Sequence, residues 1–161
     1  MRKKEETVLD FKVDELTNSI KNTVSGDSFP TDISFITTSD LKTITKKKGW
    51  LFTWKSELKS PKKEIYKLTI VNNPSIIQGL ISLEIKSDHI YIHLIESAPF
   101  NKGKQKIYSG IHGNLVAFAC KISFQRGHEG NVSFVSKTQL INHYVKSLGA
   151  IHFGGRLMIR N

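Results

Sequence analysis

The sequence lacks several features on which common protein sites depend. Of its 161 residues only Cys120 is a cysteine, so no internal disulfide can form and a reducing compartment is expected. The six histidines show no metal-ligand spacing. The chain has no P-loop, nucleophile elbow or dinucleotide fingerprint. The sequence therefore excludes a disulfide-stapled scaffold and predicts no metal site.

Long apolar runs are also absent. No stretch approaches the roughly 20 apolar residues that cross a membrane. The charged residues 1–6 provide no apolar signal-peptide core. We therefore expect a cytoplasmic protein with no membrane partner. The length suits a single domain over residues 1–161, present as a monomer or homodimer.

Acidic residues are few compared with basic ones. The chain has 14 Asp and Glu against 24 Lys and Arg, a formal net charge of +10. This excess predicts a negatively charged partner, either nucleic acid or a small polyanion such as a nucleotide cofactor. An alternative interpretation of equal weight is that the lysines are dispersed over a solvated surface. The basic clusters lie at residues 2–4, 46–48, 62–63 and 102–106.

The N-terminal part is predicted to be largely helical. Apolar residues recur at helical spacing over residues 13–24, and Gly26 follows as a helix-ending glycine. Pro30 indicates a break, and the residues after it predict a strand at 33–36. A short capped helix is expected over residues 39–47.

Three aromatic residues alternate just after this helix. The spacing of Trp50, Phe52 and Trp54 predicts a strand with all three rings on one face. Such rings beside lysines could stack on single-stranded bases. Aromatic residues more often belong to the core, and we favour that interpretation.

The rest of the chain predicts an α+β fold. An antiparallel meander of three strands precedes a helix, a parallel strand, a second helix and a terminal hairpin. The order is β-β-β-α-β-α-β-β in a mixed, mostly antiparallel sheet after an N-terminal helical portion. The predicted bounds are strands 64–71, 76–85 and 90–96, helix 108–124, strand 132–135, a helix from 136 to 148, and strands 151–153 and 157–159.

The middle of this order contains a candidate phosphate site. The strand at 90–96 breaks at Pro99, residues 102–106 carry three lysines and a glycine, and a helix begins within 108–113. Backbone N–H groups and the positive end of the helix dipole converge at such a helix start. We interpret this strand, basic turn and helix as a site for a phosphorylated cofactor.

The chain resembles the GNAT superfamily of acyl-CoA-dependent N-acetyltransferases. The resemblance covers about residues 50–161, whereas residues 1–49 match no part of the family pattern and are expected to form a variable, acceptor-side portion. It rests on the order of elements and on two segments, Tyr108-Ser109-Gly110-Ile111-His112-Gly113 and His143-Tyr144-Val145-Lys146-Ser147-Leu148-Gly149-Ala150.

The family's cofactor signature is Arg or Gln, two residues, Gly, one residue, then Gly or Ala. Gly110 takes the first glycine position, while Ile107 and His112 depart from the signature. Gly113 could supply the missing close approach of backbone to pyrophosphate. The resemblance implies that acetyl-CoA binds at Ser97, Ala98, Lys104, Lys106, Tyr108, Ser109, Gly110, Ile111, His112 and Gly113.

The resemblance also places a candidate general base at the end of the third meander strand. Transfer to an amine needs the amine neutral, so a base must take its proton. Glu96 occupies a family position for this role, and its apolar neighbours predict a raised pKa. A structural carboxylate that accepts backbone N–H groups is the equal alternative. His93, expected on the face opposite Leu94, and His112 are the other candidate bases.

A tyrosine near the C-terminus completes the implied machinery. In the family, a tyrosine of the last helix often protonates the departing thiolate. Tyr144 resembles it, although Gly149 follows it by five positions, whereas the family's glycine follows its tyrosine by four. A tyrosine at the edge of the core is the alternative.

Together these features imply acetyl transfer from acetyl-CoA directly to an amine of a small molecule or protein. The alternative function is a catalytically inactive basic module on the same fold, which would bind nucleic acid or a protein. A regulatory partner with a closed acceptor site is a third possibility. The sequence does not identify the acceptor.

Overall fold

The computed structural model describes residues 19–135, 151–153 and 156–159, with side-chain surroundings for residues 19–133. The predicted helix at 136–148, which contains Tyr144, lies outside the described residues. In the described part, strands β1 to β9 span Ser19–Asn22, Ser28–Phe35, Glu64–Ile70, Gly79–Ile85, Ile90–Ser97, Tyr108–Ser109, Val132–Val135, Ile151–Phe153 and Arg156–Ile159. Helices α1 and α2 span Trp54–Lys59 and Ile111–Gln125, and 3-10 helices span Asp40–Lys42, Lys46–Lys48 and Pro99–Asn101.

The strands form one mixed sheet, in the order β6-β1-β2-β3-β4-β5-β7-β9-β8. The meander β3-β4-β5 is antiparallel, and α2 then leads to β7, which pairs parallel to β5. Strands β8 and β9 form the terminal hairpin. The predicted α+β class and its mostly antiparallel sheet are confirmed.

The prediction of a helix at residues 13–24 is wrong over the part of this segment that the structure describes. Ile20 pairs with Phe29 in a β1–β2 hairpin, and Pro30 lies inside β2 rather than at a break. Gly26 has a φ of 78°, a turn conformation that a glycine adopts readily. Val24 is 94% exposed. The apolar spacing thus did not mark one buried helix face, because pairing across the hairpin decides the backbone.

The segment between β2 and β3, which we name the cap (residues 36–63), also differs from its prediction. Two 3-10 helices replace the single short helix, and residues 50–53 form a loop instead of a strand. Trp50 and Trp54 are nevertheless 6% and 1% exposed, so their prediction as core residues is confirmed. They occupy the core because the cap folds over one face of the sheet.

The sheet separates two apolar clusters. Helix α2 covers one face, which we name the α2 face, through Ile111, Leu115 and Ile122. The cap covers the opposite face, which we name the cap face; Ile44, Trp50 and Trp54 pack there. Burial of apolar surface on both faces is the main force that holds such a layered domain together.

Helix α2 begins three residues later than predicted, at Ile111. Tyr108 and Ser109 form β6, which pairs with residues 21–22 of β1. Gly79 on β4 allows α2 to approach closely, since a Cβ there would lie 2.5 Å from Cγ2 of Ile111. The helix start is therefore fixed by the sheet as well as by its own sequence.

A buried polar residue joins the start of α2 to the first hairpin. Asn114 is fully buried, and its amide donates to the carbonyls of Ser19 (2.9 Å) and Gly110 (2.8 Å). Its Oδ1 accepts a hydrogen bond from the Thr31 hydroxyl at 3.0 Å. This one side chain thus links β1, β2 and the helix start.

We expect Asn114→Ala to lower the free energy of unfolding by about 2–3 kcal/mol, because it leaves buried hydrogen-bonding groups without a partner. Urea denaturation measures this change. Asn73→Ala is the control, because Asn73 is exposed and its observed hydrogen bonds use the backbone. An equal loss in both variants would contradict the linking role of Asn114.

Candidate functional site

A bulge in β5 determines which residues face the site. Ser82 of β4 pairs with Leu94, but the next residue, Leu83, pairs with Ile92, so His93 is the extra residue. As a result Ile92 packs on the α2 face and Leu94 on the cap face. Strict alternation would have placed both on the same face.

The bulge also places His93 on the same face as Leu94, so the predicted opposite orientation is wrong. The His93 ring hydrogen-bonds Glu84, through Nε2 and Oε1 at 2.8 Å. Glu84 lies two residues beyond Ser82, the partner of Leu94, and therefore on the same face of β4. The bulge thus turns the His93 ring toward the cap face.

Beyond the bulge, the described pairing of β5 with its parallel neighbour ends. In the described part of the chain, three residues of β5 pair with β7: Ile90 with Val132, Tyr91 with Ser133 and Ile92 with Phe134. Residues 93–97 of β5 pair with no strand on that side within the same described part. Among the described residues, the pairing of β5 with β7 therefore ends at the bulge, and we name the β7 side of residues 93–97 the wedge.

The backbone of β5 presents hydrogen-bonding groups to the wedge. The N–H of Ala98 donates to the carbonyl of Gln78 at 2.9 Å, so Ala98 directs its N–H toward β4 and away from the wedge. Because successive strand residues alternate in direction, Ile95 and Ser97 direct their N–H and C=O groups into the wedge. Ser97 thus directs its backbone groups to the wedge, whereas the N–H of Ala98, another predicted cofactor residue, is occupied by Gln78.

The start of α2 has the backbone of an anion site. Gly110 is the N-cap residue with φ 93° and ψ 7°, a left-handed conformation that favours glycine. The N–H of Asn114 makes the first helical hydrogen bond, to the carbonyl of Gly110 at 3.0 Å. The N–H groups of the first helical residues, among them Ile111 and Gly113, precede that bond and point along the helix dipole.

Two contacts fix the turn that leads into this helix start. The buried Asn101 accepts the N–H of Tyr108 at 3.0 Å and donates to Gln78 Oε1 at 2.9 Å. Thr23, next to β1, donates its N–H to the carbonyl of Ile107 at 2.9 Å. The turn is therefore held from both sides, by the residue that precedes β4 and by the first hairpin.

The structure distributes the predicted cofactor residues unequally. The four residues Gly110 to Gly113, with Ile111 and His112 between them, share the helix start, although the Ile111 side chain is buried in the core. Tyr108 and Ser109 belong to the paired strand β6. The lysines of the turn separate as well. Lys104 and Lys106 are exposed, whereas Lys102 binds Glu96.

Glu96 is surrounded by hydrogen-bond donors. Its side chain is 3% exposed, and the Lys102 ammonium lies 2.5 Å from Oε2. The Leu51 N–H donates to Oε2 at 2.6 Å, and the Phe52 N–H donates to Oε1 at 3.3 Å. The Trp54 indole also donates to Oε1, at 2.7 Å. The carboxylate thus joins the end of β5 to the cap and to the basic turn.

These donors contradict the raised pKa predicted for Glu96. Burial by itself raises the pKa, but the Lys102 ammonium, the two backbone N–H groups and the Trp54 indole together hold it below its ordinary value. The contacts favour the structural interpretation of Glu96. Its role as a base stays a prediction without support from its pKa.

His93 has the surroundings of an oriented imidazole. Its side chain is 24% exposed, and the Tyr91 ring packs edge-to-face against it with centroids 4.6 Å apart. Glu84, its hydrogen-bond partner, also pairs with Lys86 at 2.9 Å. The Lys86 and His93 hydrogen bonds lower the pKa of Glu84 to about 2, so the carboxylate is ionised at neutral pH.

Sequence reasoning missed two residues that shape the site, Asn101 and Asn114. Asn114 had a detectable signal, because a polar residue falls between Ile111 and Leu115 on the apolar side of the helix. Asn101 had no detectable signal in the sequence, because its hydrogen-bond partners belong to other segments, residue 78 and β6. Tyr144 lies outside the described residues, and its role stays a prediction.

The whole fold is similar to that of known N-acetyltransferases. The structure matches the spermidine/spermine N-acetyltransferase SpeG from Vibrio cholerae with a TM-score of 0.55, at 14% identity, covering 80% of this chain and 91% of that one. It also matches the ribosomal-protein-S18-alanine N-acetyltransferase from Escherichia coli, with a TM-score of 0.50, 17% identity and coverage of 80% and 88%. The chain has the GNAT fold.

Another structure similar to this GNAT fold is a transcriptional regulator from Bacillus halodurans, with a TM-score of 0.53, 18% identity and coverage of 77% and 96%. No protein-family model and no curated protein matches the sequence. At these identities the likeness establishes the GNAT fold alone.

Membrane-spanning helices and metal clusters do not occur in the described part of this GNAT fold. None of the described helices has the length and apolar character needed to cross a membrane. No group of three or more histidine, cysteine, aspartate or glutamate side chains is placed to hold a metal ion among the described residues.

We expect Glu96→Gln to lower the free energy of unfolding at neutral pH by about 2–4 kcal/mol, because the amide cannot replace an ionised acceptor. A depressed pKa stabilises the fold above the unfolded-state pKa, and this contribution is lost as pH falls through the folded-state pKa. The difference in free energy of unfolding between Glu96→Gln and the parent protein should therefore become smaller at acidic pH. Urea denaturation over a pH series measures it.

Glu57→Gln is the control for this measurement. Glu57 pairs with Lys63 at 2.9 Å near the surface, so its loss should cost less than about 1 kcal/mol. A pH-independent difference for Glu96→Gln would contradict the electrostatic role of its carboxylate.

Proposed function

We propose that the protein is an N-acetyltransferase that transfers the acetyl group of acetyl-CoA directly to an amine. The observation that carries this proposal is the wedge on β5, where Ser97 pairs with Gly79, the residue against which Ile111 packs just after the left-handed Gly110 at the start of α2. In the GNAT superfamily such a strand edge holds the pantetheine arm as an extra strand, and a helix N-terminus suits the binding of a pyrophosphate. The likeness of the fold to N-acetyltransferases supports the same function.

The described residues fit acetyl-CoA in three places. The helix start at residues 110–113 would hold the pyrophosphate, and Gly113 has no side chain to obstruct it. Lys104 and Lys106 are exposed and would supply positive charge near the phosphates. The backbone of Ser97 would pair with the pantetheine arm at the wedge. Acetyl-CoA itself would supply the acetyl thioester.

We assign the general base to His93. Its imidazole lies at the bulge where the wedge begins, and the ionised Glu84 orients it through a 2.8 Å hydrogen bond. A base so placed would take the proton of the acceptor amine directly or through a water molecule. Glu96 is the less favoured candidate, because donors already occupy its carboxylate. Tyr144 remains the proposed acid that protonates the thiolate.

A catalytically inactive binding module on the same fold is the second candidate. The observation that favours it is the departure from the cofactor signature at Ile107 and His112. Ile107 is 44% exposed and its carbonyl accepts the Thr23 N–H, so this position contributes a strand-like backbone and no cationic side chain. Binding of the coenzyme separates the two functions.

We expect acetyl-CoA to raise the melting temperature saturably, because a ligand of the native state stabilises it by about 2.7 kcal/mol at a hundredfold excess over Kd. Gly110→Asp should abolish this shift, since it puts a negative charge at the helix start. Gly110→Asn is the matched control with the same shape, no charge and tolerance of left-handed backbone. It should keep part of the shift. A parent protein without any shift would contradict acetyl-CoA binding.

We expect His93→Gln to lower kcat by about 10²–10⁴-fold, the usual contribution of general base catalysis. The pH dependence that an imidazole gives to the rate should disappear at the same time. Acetylation rates measured over a pH series, with an acceptor identified by amine screening, test this.

His89→Gln is the control for the histidine variant, because His89 hydrogen-bonds Asp88 just before β5 and ahead of the bulge. It should leave the rate unchanged. If the pH dependence of the rate were unaltered in His93→Gln but abolished in Glu96→Gln, the general base would be Glu96 instead of His93.

A further inference from the structure

The cap carries a concentration of positive charge. Between residues 41 and 63 the sequence contains eight lysines and one acidic residue, Glu57. Lys63 pairs with Glu57 at 2.9 Å. The other seven lysines are exposed, and we name them the cap lysines: Lys42, Lys46, Lys47, Lys48, Lys55, Lys59 and Lys62.

Neighbouring acids do not neutralise the cap lysines. Asp40, the acid just before them, pairs with Lys67 of β3 at 2.9 Å. Glu57 is occupied by Lys63. Within the described residues, none of the cap lysines forms an ion pair with a carboxylate. Seven positive charges on one segment repel each other, so a polyanion that binds there gains their combined attraction.

The cap is attached to the end of β5, next to the proposed site. The Leu51 and Phe52 N–H groups bind the Glu96 carboxylate. Gly49, which ends the 3-10 helix Lys46–Lys48, packs against Pro99, because a Cβ on Gly49 would lie 3.0 Å from the Pro99 Cβ. A ligand that contacts Lys46 to Lys48, directly before Gly49, would therefore lie near the end of β5.

The chemistry of this surface selects its partner. Lysine ammonium groups bind phosphates as point charges, and several of them on one segment fit a polymer with repeated phosphates. A polycation such as spermidine would be repelled. Trp50 and Trp54 are buried and offer no ring face on which an unpaired base could stack. The surface therefore suits the backbone of a double helix better than unstacked single strands.

We propose that the cap lysines bind the phosphate backbone of a double-helical nucleic acid. Binding by this surface requires no acetyl transfer.

The test measures binding of a fluorescein-labelled RNA hairpin by anisotropy over a series of salt concentrations, without acetyl-CoA. The parent protein should bind with an affinity that falls steeply with salt. Each lysine–phosphate contact contributes about 0.9 to the slope of log K against log salt. The double variant Lys47→Gln and Lys48→Gln should therefore reduce the slope by about 2.

The matched control is Lys121→Gln with Arg126→Gln, which removes the same charge from exposed positions at the end of α2, across the sheet from the cap. Its slope should stay within about 1 of the parent value if contacts at the cap carry the binding. An equal reduction in both variants would overturn the proposal, because binding would then follow net charge alone.

A competition experiment decides the class of partner. Polyglutamate of equal charge should compete poorly with the hairpin, and competition at equal charge concentration would overturn a nucleic-acid site in favour of an acidic protein.

Stabilisation by acetyl-CoA should be intact in the double variant Lys47→Gln and Lys48→Gln. Hairpin binding in a protein that acetyl-CoA does not stabilise would support the surface and contradict the transferase, so the two failures are distinguishable.

Discussion

The buried carboxylate of Glu96 is the interaction on which the arrangement of the site depends. It receives donors from the cap and from the basic turn after β5, and the cap donors are far from it in the sequence. Desolvation makes an unpaired carboxylate costly, so these donors must stay in place for the residue to remain ionised. One acid thus fixes the cap, the end of β5 and Lys102 relative to one another.

The bulge at His93 is the second constraint, because it sets the face of the sheet on which the later side chains of β5 lie. An added residue in β5 moves the later side chains to the other face, so Glu96 meets the cap instead of α2. The same bulge lies where the described pairing with β7 ends. The local change in backbone therefore coincides with the start of the wedge and with the position of the His93 imidazole.

Regular elements with strong periodicity were predictable from the sequence. The strands β3, β4 and β5, the helix α2 and the parallel strand β7 are confirmed because each has a clear apolar pattern. Gly110 was predictable as part of the helix start. The short hairpin β1–β2 and the loop at 50–53 were not, because their backbone groups are satisfied by partners distant in sequence or across a turn. The Glu96 pKa was misjudged for the same reason.

The sequence by itself determined the α+β class, the apolar periodicity of the regular elements from β3 to β7 and the excess of positive charge, since periodicity and composition are local properties. Only the tertiary structure decided that Lys102 binds Glu96, that His93 binds Glu84 and that Gly49 of the cap packs against Pro99 after β5. These contacts depend on which face each residue occupies. A single bulged residue reverses that choice, and no periodic pattern records it.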